Sequence, residues 1–333
     1  MKALLCSRRQ FLRMGASSLA LSSAAKAVGL PLFETQHCAN GSLPADLPPP
    51  AVAAKQVAAR LTVPVHINGK GPYRFVVDTG ADRTVLATEV AVELGLVHGP
   101  RVLLSGVVQT KIADTVSIRH LAFGSTASGN FSVPTVPRAL LDADGYLGLD
   151  FLDDHRVTFD FKSGLLQVSD SRPKLSADWT RPSEARIHTF GSSGHLRSLD
   201  CRVDGVSSAA FVDSGAEVSA ANGPLLAALA RRNPSFGVVG DMELIDITGG
   251  QIQGKVAMVK QIRLPGLAFD DCPLVIANFQ VFKAWGLTRS PALLIGMNVL
   301  RQFSRVSIDY RLKELRFDLA SSNPVNVFAA STA

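Results

Sequence analysis

The feature that most constrains this sequence is an internal repeat that divides it into two similar halves. The segment FVVDTGADRTVL (75–86) is matched by AAFVDSGAEVSAA (209–221), and each carries an aspartate, Asp78 or Asp213, after an apolar run. In both segments a hydroxyl residue, a glycine and an alanine follow the aspartate. A single Asp-Ser-Gly is ordinarily a turn whose aspartate bonds to its own backbone, whereas two copies in matching surroundings indicate duplicated halves.

The repeat extends well beyond the two aspartates. Each half has, in the same order, a hairpin turn, the aspartate, a helix pattern, an apolar run that ends in glycine, and a closing strand. Apart from the aspartates, these features lie at 68–69, 88–94, 146–148 and 156–161 in the first half, and at 204–205, 222–232, 294–296 and 305–310 in the second. The second aspartate follows the first by 135 residues, and the second closing strand follows the first by 149. Such similar spacings predict a duplication with modest insertions.

Between these landmarks the sequence consists mostly of short alternating runs separated by turns, which is typical of β-strands. The fold class is therefore predicted as all-β with a few short helices. At 333 residues the chain has room for two lobes, each with its own core. The predicted divisions are a signal peptide at 1–27, a Pro/Ala-rich linker at 28–55, an N-terminal lobe at 56–168, an interlobe linker at 169–186, a C-terminal lobe at 187–320 and a tail at 321–333.

The N-terminus accounts for most of the positive charge. Of the formal net charge of +6, residues 1–27 contribute +5, from Lys2, Arg8, Arg9, Arg13 and Lys26. The remainder is close to neutral, so charge gives no support to nucleic-acid binding. Paired arginines ahead of a short apolar run and an Ala-x-Ala pattern resemble a twin-arginine signal, which predicts export to the periplasm or beyond in a bacterium. The alternative is an uncleaved anchor helix, but the run is shorter than the roughly 20 residues that a span needs.

The four cysteines do not define a disulfide framework. Cys6 leaves with the signal, Cys38 lies in the linker, and Cys201 and Cys272 lie in the second half. An exported protein can form a Cys201–Cys272 disulfide, and free buried thiols are the open alternative.

The sequence lacks the motifs of several common classes of enzyme. The seven histidines form no His-Glu-x-x-His or similar ligand spacing, and no Gly-x-Ser-x-Gly occurs. Gly249, Gly250 and Gly254 lack the spacing of a dinucleotide-binding loop. No metal site and no cofactor are therefore predicted.

The repeated residues carry a resemblance to a known family. Asp-Thr-Gly-Ala within 75–86, with the apolar-Gly run downstream, resembles the retroviral-type (retropepsin-like) aspartic proteases. The duplicated single chain resembles the pepsin-like arrangement, in which each lobe gives one aspartate. The resemblance covers roughly 56–318, as judged by the repeated blocks. It implies two β-barrel-like lobes related by a pseudo-twofold axis, with the runs at 146–148 and 294–296 passing behind the aspartate loops.

The resemblance also implies roles for the site residues. Asp78 and Asp213 are the catalytic pair, and Thr79 and Ser214 bond to the backbone of the opposite loop. Two close carboxylates cannot both ionise easily, so the pair shares a proton and activates a water for peptide hydrolysis. The residues expected to support the pair are Thr79, Gly80, Ser214 and Gly215, and the candidate substrate-binding residues are Ala81, Asp82, Ala216, Glu217, Gly106, Gly249 and Gly250.

The sequence also departs from the family. Retroviral-type proteases often carry an arginine after the downstream glycine, where this chain has Leu149 and Met297. Asp82 and Glu217, the acids that such an arginine pairs with, therefore either have other partners or accept bonds from substrate backbone. The hairpins expected to cover the cleft lack the tyrosine of pepsin-like flaps, and the second one, with its adjacent glycines, is expected to be the more mobile.

Two functions of different class follow. The first is an exported aspartic endopeptidase that acts on an extended peptide or protein substrate between the lobes. The second is a catalytically silent relative that binds peptides or serves as a scaffold. Retention of both aspartates and both hydroxyls favours the enzyme. Because two lobes already supply both aspartates, a monomer suffices for the chemistry, and neither nucleic acid nor a membrane span after signal cleavage is expected.

Overall fold

Short antiparallel hairpins dominate the structure, which is mainly β. In the computed structural model the described residues are 52–53, 55–57, 60–124, 126–153, 155–171, 184–189 and 197–319. The predicted signal peptide, Cys38 and the predicted tail lie outside them. None of the helices in the described ranges is long and apolar enough to cross a membrane.

The elements of the first half are numbered in chain order. Its strands are β1 (Val52–Ala53), β2 (Lys55–Val57), β3 (Arg60–Ile67), β4 (Lys70–Val77), β5 (Val85–Ala87), β6 (His98–Ser105), β7 (Thr110–Phe123), β8 (Thr126–Val136), β9 (Gly145–Leu147), β10 (His155–Asp160) and β11 (Leu165–Asp170). Its helices are α1 (Thr88–Glu93), α2 (Arg138–Leu141) and α3 (Leu149–Leu152).

The elements of the second half continue the numbering. Its strands are β12 (Glu184–His188), β13 (Arg197–Val203), β14 (Val206–Val212), β15 (Ala220–Ala221), β16 (Val238–Ile245), β17 (Gln251–Leu264), β18 (Leu267–Ile276), β19 (Ala292–Ile295), β20 (Phe303–Asp309) and β21 (Glu314–Leu319). Its helices are α4 (Gly223–Arg232), α5 (Gln280–Ala284) and α6 (Met297–Leu300).

Each half closes its sheet into a ring of the same topology. In the first, the order β3-β4-β9-β5-β8-β7 is closed by pairing of β3 with β7, and in the second, β13-β14-β19-β15-β18-β17 is closed by pairing of β13 with β17. In each ring the strand before the aspartate runs parallel to the strand that ends at the downstream glycine. The strands β6 and β16 lie outside the rings and form long hairpins with β7 and β17. The prediction of two β-barrel-like lobes is confirmed.

Equivalent two-residue turns connect β3 to β4 in the first ring and β13 to β14 in the second. Asn68 and Gly69 have φ angles of +51° and +80°, and Asp204 and Gly205 have +45° and +80°. Positive φ at both central residues is the geometry of a type I′ turn, whose twist suits a two-residue hairpin. The Asn68 side chain accepts two backbone N–H groups of β7, at 3.1 and 3.0 Å, and Asp204 accepts two of β17, at 3.2 and 2.7 Å. The predicted hairpin turns are confirmed, and each one also ties its hairpin to a third strand.

The helix predictions are also confirmed. The helix α1 ends just before Gly95, which has a φ of +60° and therefore suits glycine. The helix α4 follows Asn222, whose side chain accepts the N–H of Leu225 at 3.1 Å as an N-terminal cap.

A third sheet joins the lobes. It has the order β1-β11-β10-β20-β21-β12, and its centre is the antiparallel pair of β10 and β20, the two repeated Arg-Val strands. Their register places Thr158 opposite Ser307, with the two hydroxyls 3.0 Å apart, so the pseudo-twofold axis passes between them. Two ion pairs flank this axis, Arg156–Asp309 at 2.8 Å and Arg305–Asp160 at 2.9 Å.

Segments that the sequence predicts as linkers also form strands. In the third sheet, β1 falls at 52–53, β11 runs to Asp170 and β12 begins at Glu184, whereas β2 at 55–57 pairs with β3 in the sheet of the first lobe. A strand of two or three residues is too short for an alternating pattern to show, so composition dominated the sequence prediction there.

Cys201 and Cys272 are free, buried thiols. Burial raises the pKa of each to about 12, so neither is a reactive thiolate near neutral pH. Of the two alternatives left open by the sequence, the structure has the free thiols.

Candidate active site

The two aspartates occupy equivalent places at the ends of parallel strand pairs. Asp78 follows β4, and its N–H donates to the carbonyl of Leu147 in β9 at 2.9 Å. Asp213 follows β14, and its N–H donates to the carbonyl of Ile295 in β19 at 3.0 Å. The apolar-Gly runs therefore lie directly beside the aspartate loops, as the sequence predicts.

Each apolar run must end in glycine because the backbone of the aspartate loop lies very close to it. A Cβ atom at Gly148 would lie 2.4 Å from the carbonyl carbon of Arg83, and one at Gly296 would lie 2.7 Å from that of Val218. No larger residue fits without moving the loop. The N–H of Gly148 donates to Thr84 Oγ1 at 3.2 Å, and that of Gly296 donates to Ser219 Oγ at 3.0 Å. Each run thus holds its own aspartate loop from behind.

The hydroxyl residues after the aspartates connect the two loops to each other. The N–H of Ser214 donates to Thr79 Oγ1 at 2.9 Å, and the N–H of Thr79 donates to Ser214 Oγ at 3.1 Å. The Ser214 hydroxyl in turn donates to the carbonyl of Val77 at 2.7 Å, and that of Thr79 donates to the carbonyl of Val212 at 3.5 Å. These are the cross-loop bonds that the resemblance implies.

The carboxyl groups of Asp78 and Asp213 face the opposite loop. Each accepts the N–H two residues on in its own loop, from Gly80 at 2.9 Å and from Gly215 at 2.8 Å. A Cβ at Gly80 would lie 2.5 Å from Asp213 Cγ, and a Cβ at Gly215 would lie 2.4 Å from Asp78 Cγ. The two glycines therefore make the space in which the carboxyls meet, and the side chains are hydrogen-bonded to one another.

Burial and charge both act on this pair. The side chains are enclosed, with residue exposures of 9% for Asp78 and 8% for Asp213. Burial raises the pKa of Asp78 well above its ordinary value, and the neighbouring charge of Asp213 raises it further. The N–H of Gly80 and the cation of Arg60 oppose this rise. The net effect on the pKa of Asp78 is upward, so its carboxyl holds its proton to a higher pH than an isolated aspartate.

An arginine outside the predicted site reaches across to the second loop. The guanidinium of Arg60, at the start of β3, lies 3.3 Å from the Glu217 carboxylate and 5.5 Å from the centre of the Tyr146 ring. It also donates to the Tyr146 hydroxyl. Glu217 therefore has a partner from the opposite lobe, even though Met297 stands where relatives often carry an arginine. Asp82 is exposed at the equivalent place on the first loop.

A second pair of residues missed by the sequence reasoning braces the loops. Asp150 Oδ1 accepts the N–H and the hydroxyl of Thr84 at 2.7 and 2.6 Å. Asn298 Oδ1 accepts the N–H and the hydroxyl of Ser219, both at 2.8 Å. Both acceptors lie two residues after the downstream glycine. Their equivalent positions in the repeat could therefore have identified them from the sequence.

The predicted alanines are fixed through their backbone. The carbonyl of Ala81 accepts the N–H of Leu149 at 2.8 Å, and that of Ala216 accepts the N–H of Met297 at 2.9 Å. The positions that lack the family's arginine therefore still hold the loops, with backbone groups.

The two long hairpins meet at their tips through the Asp246 carboxylate and through a bond from Gln109 Nε2 to the carbonyl of Thr248 at 3.4 Å. Oδ2 of Asp246, at the tip of β16–β17, accepts the N–H of Val108 at 2.8 Å and of Gln109 at 3.3 Å, both from the tip of β6–β7. Oδ1 accepts the N–H groups of Thr248 and Gly250 within its own tip, each at 2.9 Å. This Asp246 clasp joins the tips that contain Gly106, Gly249 and Gly250, the predicted flap glycines.

Each tip also touches the opposite lobe. The carbonyl of Val107 accepts the N–H of Val281 in α5 at 3.4 Å. A Cβ at Gly249 would lie 3.6 Å from Leu140 in α2. Val107 also packs in the same apolar cluster as Ala216 and Val218 of the second aspartate loop. The hairpins therefore bridge the lobes above the aspartate loops.

Comparison with known families agrees with this geometry. Residues 63–151 match the family model described as aspartyl protease. Over this range the first lobe is similar to that family. A search of curated proteins found no match. The second lobe has the same ring topology as the first and an equivalent aspartate loop.

Within the described residues of the two lobes, no group of three His, Cys, Asp or Glu side chains is placed to hold a metal ion.

The hydrogen bonds between the two aspartate loops lead to a stability prediction. Thr79→Val removes the acceptor for the buried Ser214 N–H and is expected to lower the free energy of unfolding by about 1–3 kcal/mol. Thr79→Ser keeps the hydroxyl and loses only a methyl group, at a cost of about 1 kcal/mol or less. Urea unfolding measures both. Equal stability of the two variants would contradict the role given to the Thr79 hydroxyl.

Proposed function

We propose that this protein is an aspartic endopeptidase in which Asp78 and Asp213 act as one catalytic pair. The observation that carries the proposal is the meeting of two buried carboxyls, each against the glycine of the opposite loop. The cross-loop bonds of Thr79 and Ser214 and the family match of residues 63–151 support it.

The reaction needs one proton on the pair. The ionised carboxylate takes a proton from a water, whose oxygen attacks the scissile carbonyl carbon, while the protonated carboxyl gives its proton to the carbonyl oxygen. In the second step the newly protonated carboxyl protonates the amide nitrogen, and the other takes a proton from the gem-diol. The C–N bond breaks to give an acid and an amine, and the pair returns with one proton.

The pH dependence follows from the raised pKa of Asp78. The pair keeps its shared proton to a higher pH than an isolated aspartate would. Activity is lost as pH rises through the upper pKa of the pair, because the general acid loses its proton. It is also lost as pH falls through the lower pKa, because the general base gains one. The profile is therefore bell-shaped.

The substrate is a peptide or unfolded protein in an extended conformation. It lies between the two lobes and beneath the hairpins that the Asp246 clasp joins. A single chain supplies both aspartates, so a monomer suffices. The twin-arginine-type pattern in residues 1–27 supports export, with the enzyme acting in the periplasm or outside the cell.

The catalytic pair generates an activity prediction. Asp78→Asn or Asp213→Asn is expected to lower kcat/KM for a denatured protein substrate by about 100-fold to 10,000-fold, because each removes one half of the acid–base pair. Peptide release by the purified chain, measured from about pH 3 to about pH 8, a range that includes the ordinary aspartate pKa of about 4, gives the values and the profile.

Asp271→Asn is the matched control, because Asp271 is an exposed aspartate on the second lobe. It is expected to cleave like the unaltered chain. Undiminished cleavage by Asp78→Asn or Asp213→Asn would overturn the assignment. A chain that binds a pepstatin-type inhibitor but cuts nothing at any pH would favour the catalytically silent peptide-binding relative.

Export has its own test. Replacing both Arg8 and Arg9 with lysine is expected to retain the protein in the cytoplasm of an expressing bacterium, because the paired arginines are the part of the signal that the pathway reads. Cell fractionation measures this. Unchanged export of the double variant would contradict the twin-arginine route.

A further inference from the structure

The two aspartate loops differ in chemistry at one equivalent position. Asp78-Thr-Gly-Ala-Asp is followed by Arg83, and Asp213-Ser-Gly-Ala-Glu is followed by Val218. The carbonyl carbon of each packs against its own downstream glycine, Gly148 or Gly296. Arg83 and Val218 therefore occupy equivalent backbone positions, but the first has a cationic side chain and the second an apolar one.

The surroundings of Val218 show where this position faces. Val218 is half-buried and packs in an apolar cluster. That cluster also holds Val107 from the first hairpin tip and Leu244 and Ile252 from the second hairpin. The position therefore faces the space between the aspartate loop and the hairpins that bridge the lobes.

The same cluster contains an aromatic pair beside the second aspartate loop, here called the aromatic wall. Phe211, two residues before Asp213, stacks on Trp285 with ring centres 4.0 Å apart. The equivalent residue of the first lobe, two before Asp78, is Val76. Large apolar groups therefore lie next to the second loop, and they favour an apolar substrate side chain on that side.

The pseudo-twofold axis puts Arg83 in the corresponding half of the cleft on the first lobe. Its side chain is exposed. Across the described ranges, no hydrogen bond or ion pair engages its guanidinium. The nearby carboxylates are Asp82, which precedes it, and Asp150, whose pKa its charge lowers against the larger effect of burial. Oδ1 of Asp150 is already bonded to Thr84. The Arg83 guanidinium therefore keeps its donors for a ligand.

We propose that Arg83 is a specificity-determining residue that binds an acidic side chain of the substrate on the first-lobe side of the cleft. Val218 and the aromatic wall receive an apolar side chain on the second-lobe side. A planar guanidinium with uncommitted donors matches a carboxylate in charge and geometry. The preferred substrate is thus a polypeptide with an acidic residue on one side of the cleaved bond and a large apolar residue on the other. This inference rests on the proposed function.

The test compares peptides that differ only in glutamate or glutamine at each position around the cleaved bond. The unaltered chain is expected to favour glutamate at one position by about tenfold in kcat/KM, as for a charge-assisted bond at a partly exposed site. Arg83→Val, which copies the second loop, is expected to reduce the ratio to about one. Arg83→Glu is expected to favour lysine over glutamine at that same position.

Arg119→Val is the matched control. Arg119 is an exposed arginine of the first lobe beside the Asn68 turn, far along β7 from the hairpin tip. It is expected to keep the tenfold preference, which separates a local contact from a change in net charge. Cleavage with no glutamate preference at any position, or a preference that survives in Arg83→Val, overturns this inference and leaves the proposed function standing.

A binding measurement keeps the two proposals distinct. The same peptide pairs, labelled with a fluorophore, are titrated against Asp213→Asn, which keeps the cleft without the intact catalytic pair. If the unaltered chain cleaves nothing at any pH, and a glutamate preference in binding is present and is abolished by adding Arg83→Val, the Arg83 assignment is supported and the enzyme is overturned. If the unaltered chain does not cleave and its cleft shows no glutamate preference in binding, both the enzyme and the Arg83 assignment are overturned.

Discussion

The hydrogen bonds between the two aspartate loops are the interaction on which the rest of this structure depends. Each lobe supplies one aspartate, so the pair exists only while Thr79 and Ser214 hold the loops together. Burying two carboxyls is costly unless bonds offset it. The N–H groups of Gly80 and Gly215 do so in part, and the proton that we propose the pair shares removes the remaining repulsion.

The lobes are joined in two further places, and these differ in symmetry. The central strands β10 and β20 pair about the axis with equivalent ion pairs on both sides. At the hairpin tips the Asp246 carboxylate of the second lobe bonds to backbone N–H groups of the first tip, and the first tip has no equivalent carboxylate among its described residues. The scaffold is thus nearly twofold, whereas the groups that surround the cleft are not. In the proposed enzyme, such differences would let one cleft treat the two ends of a substrate differently.

Much of this arrangement could be predicted from the sequence, because it repeats. Asp78, Thr79 and Gly148 acquire meaning from their counterparts in the second half, and the type I′ turns have a local signature in Asn-Gly and Asp-Gly. The partners of Arg60 and Asp246 could not be predicted. They depend on how one lobe sits on the other, which no local pattern or spacing encodes.

Carbon NMR of the purified chain, labelled at its aspartate carboxyls, shows whether Asp78 and Asp213 form one proton-sharing unit. A proton-sharing pair gives two signals that titrate together, with one proton retained well above the ordinary aspartate pKa of about 4. The coupled titration is expected to disappear in Asp213→Asn. Two independent titrations near the ordinary value would contradict proton sharing.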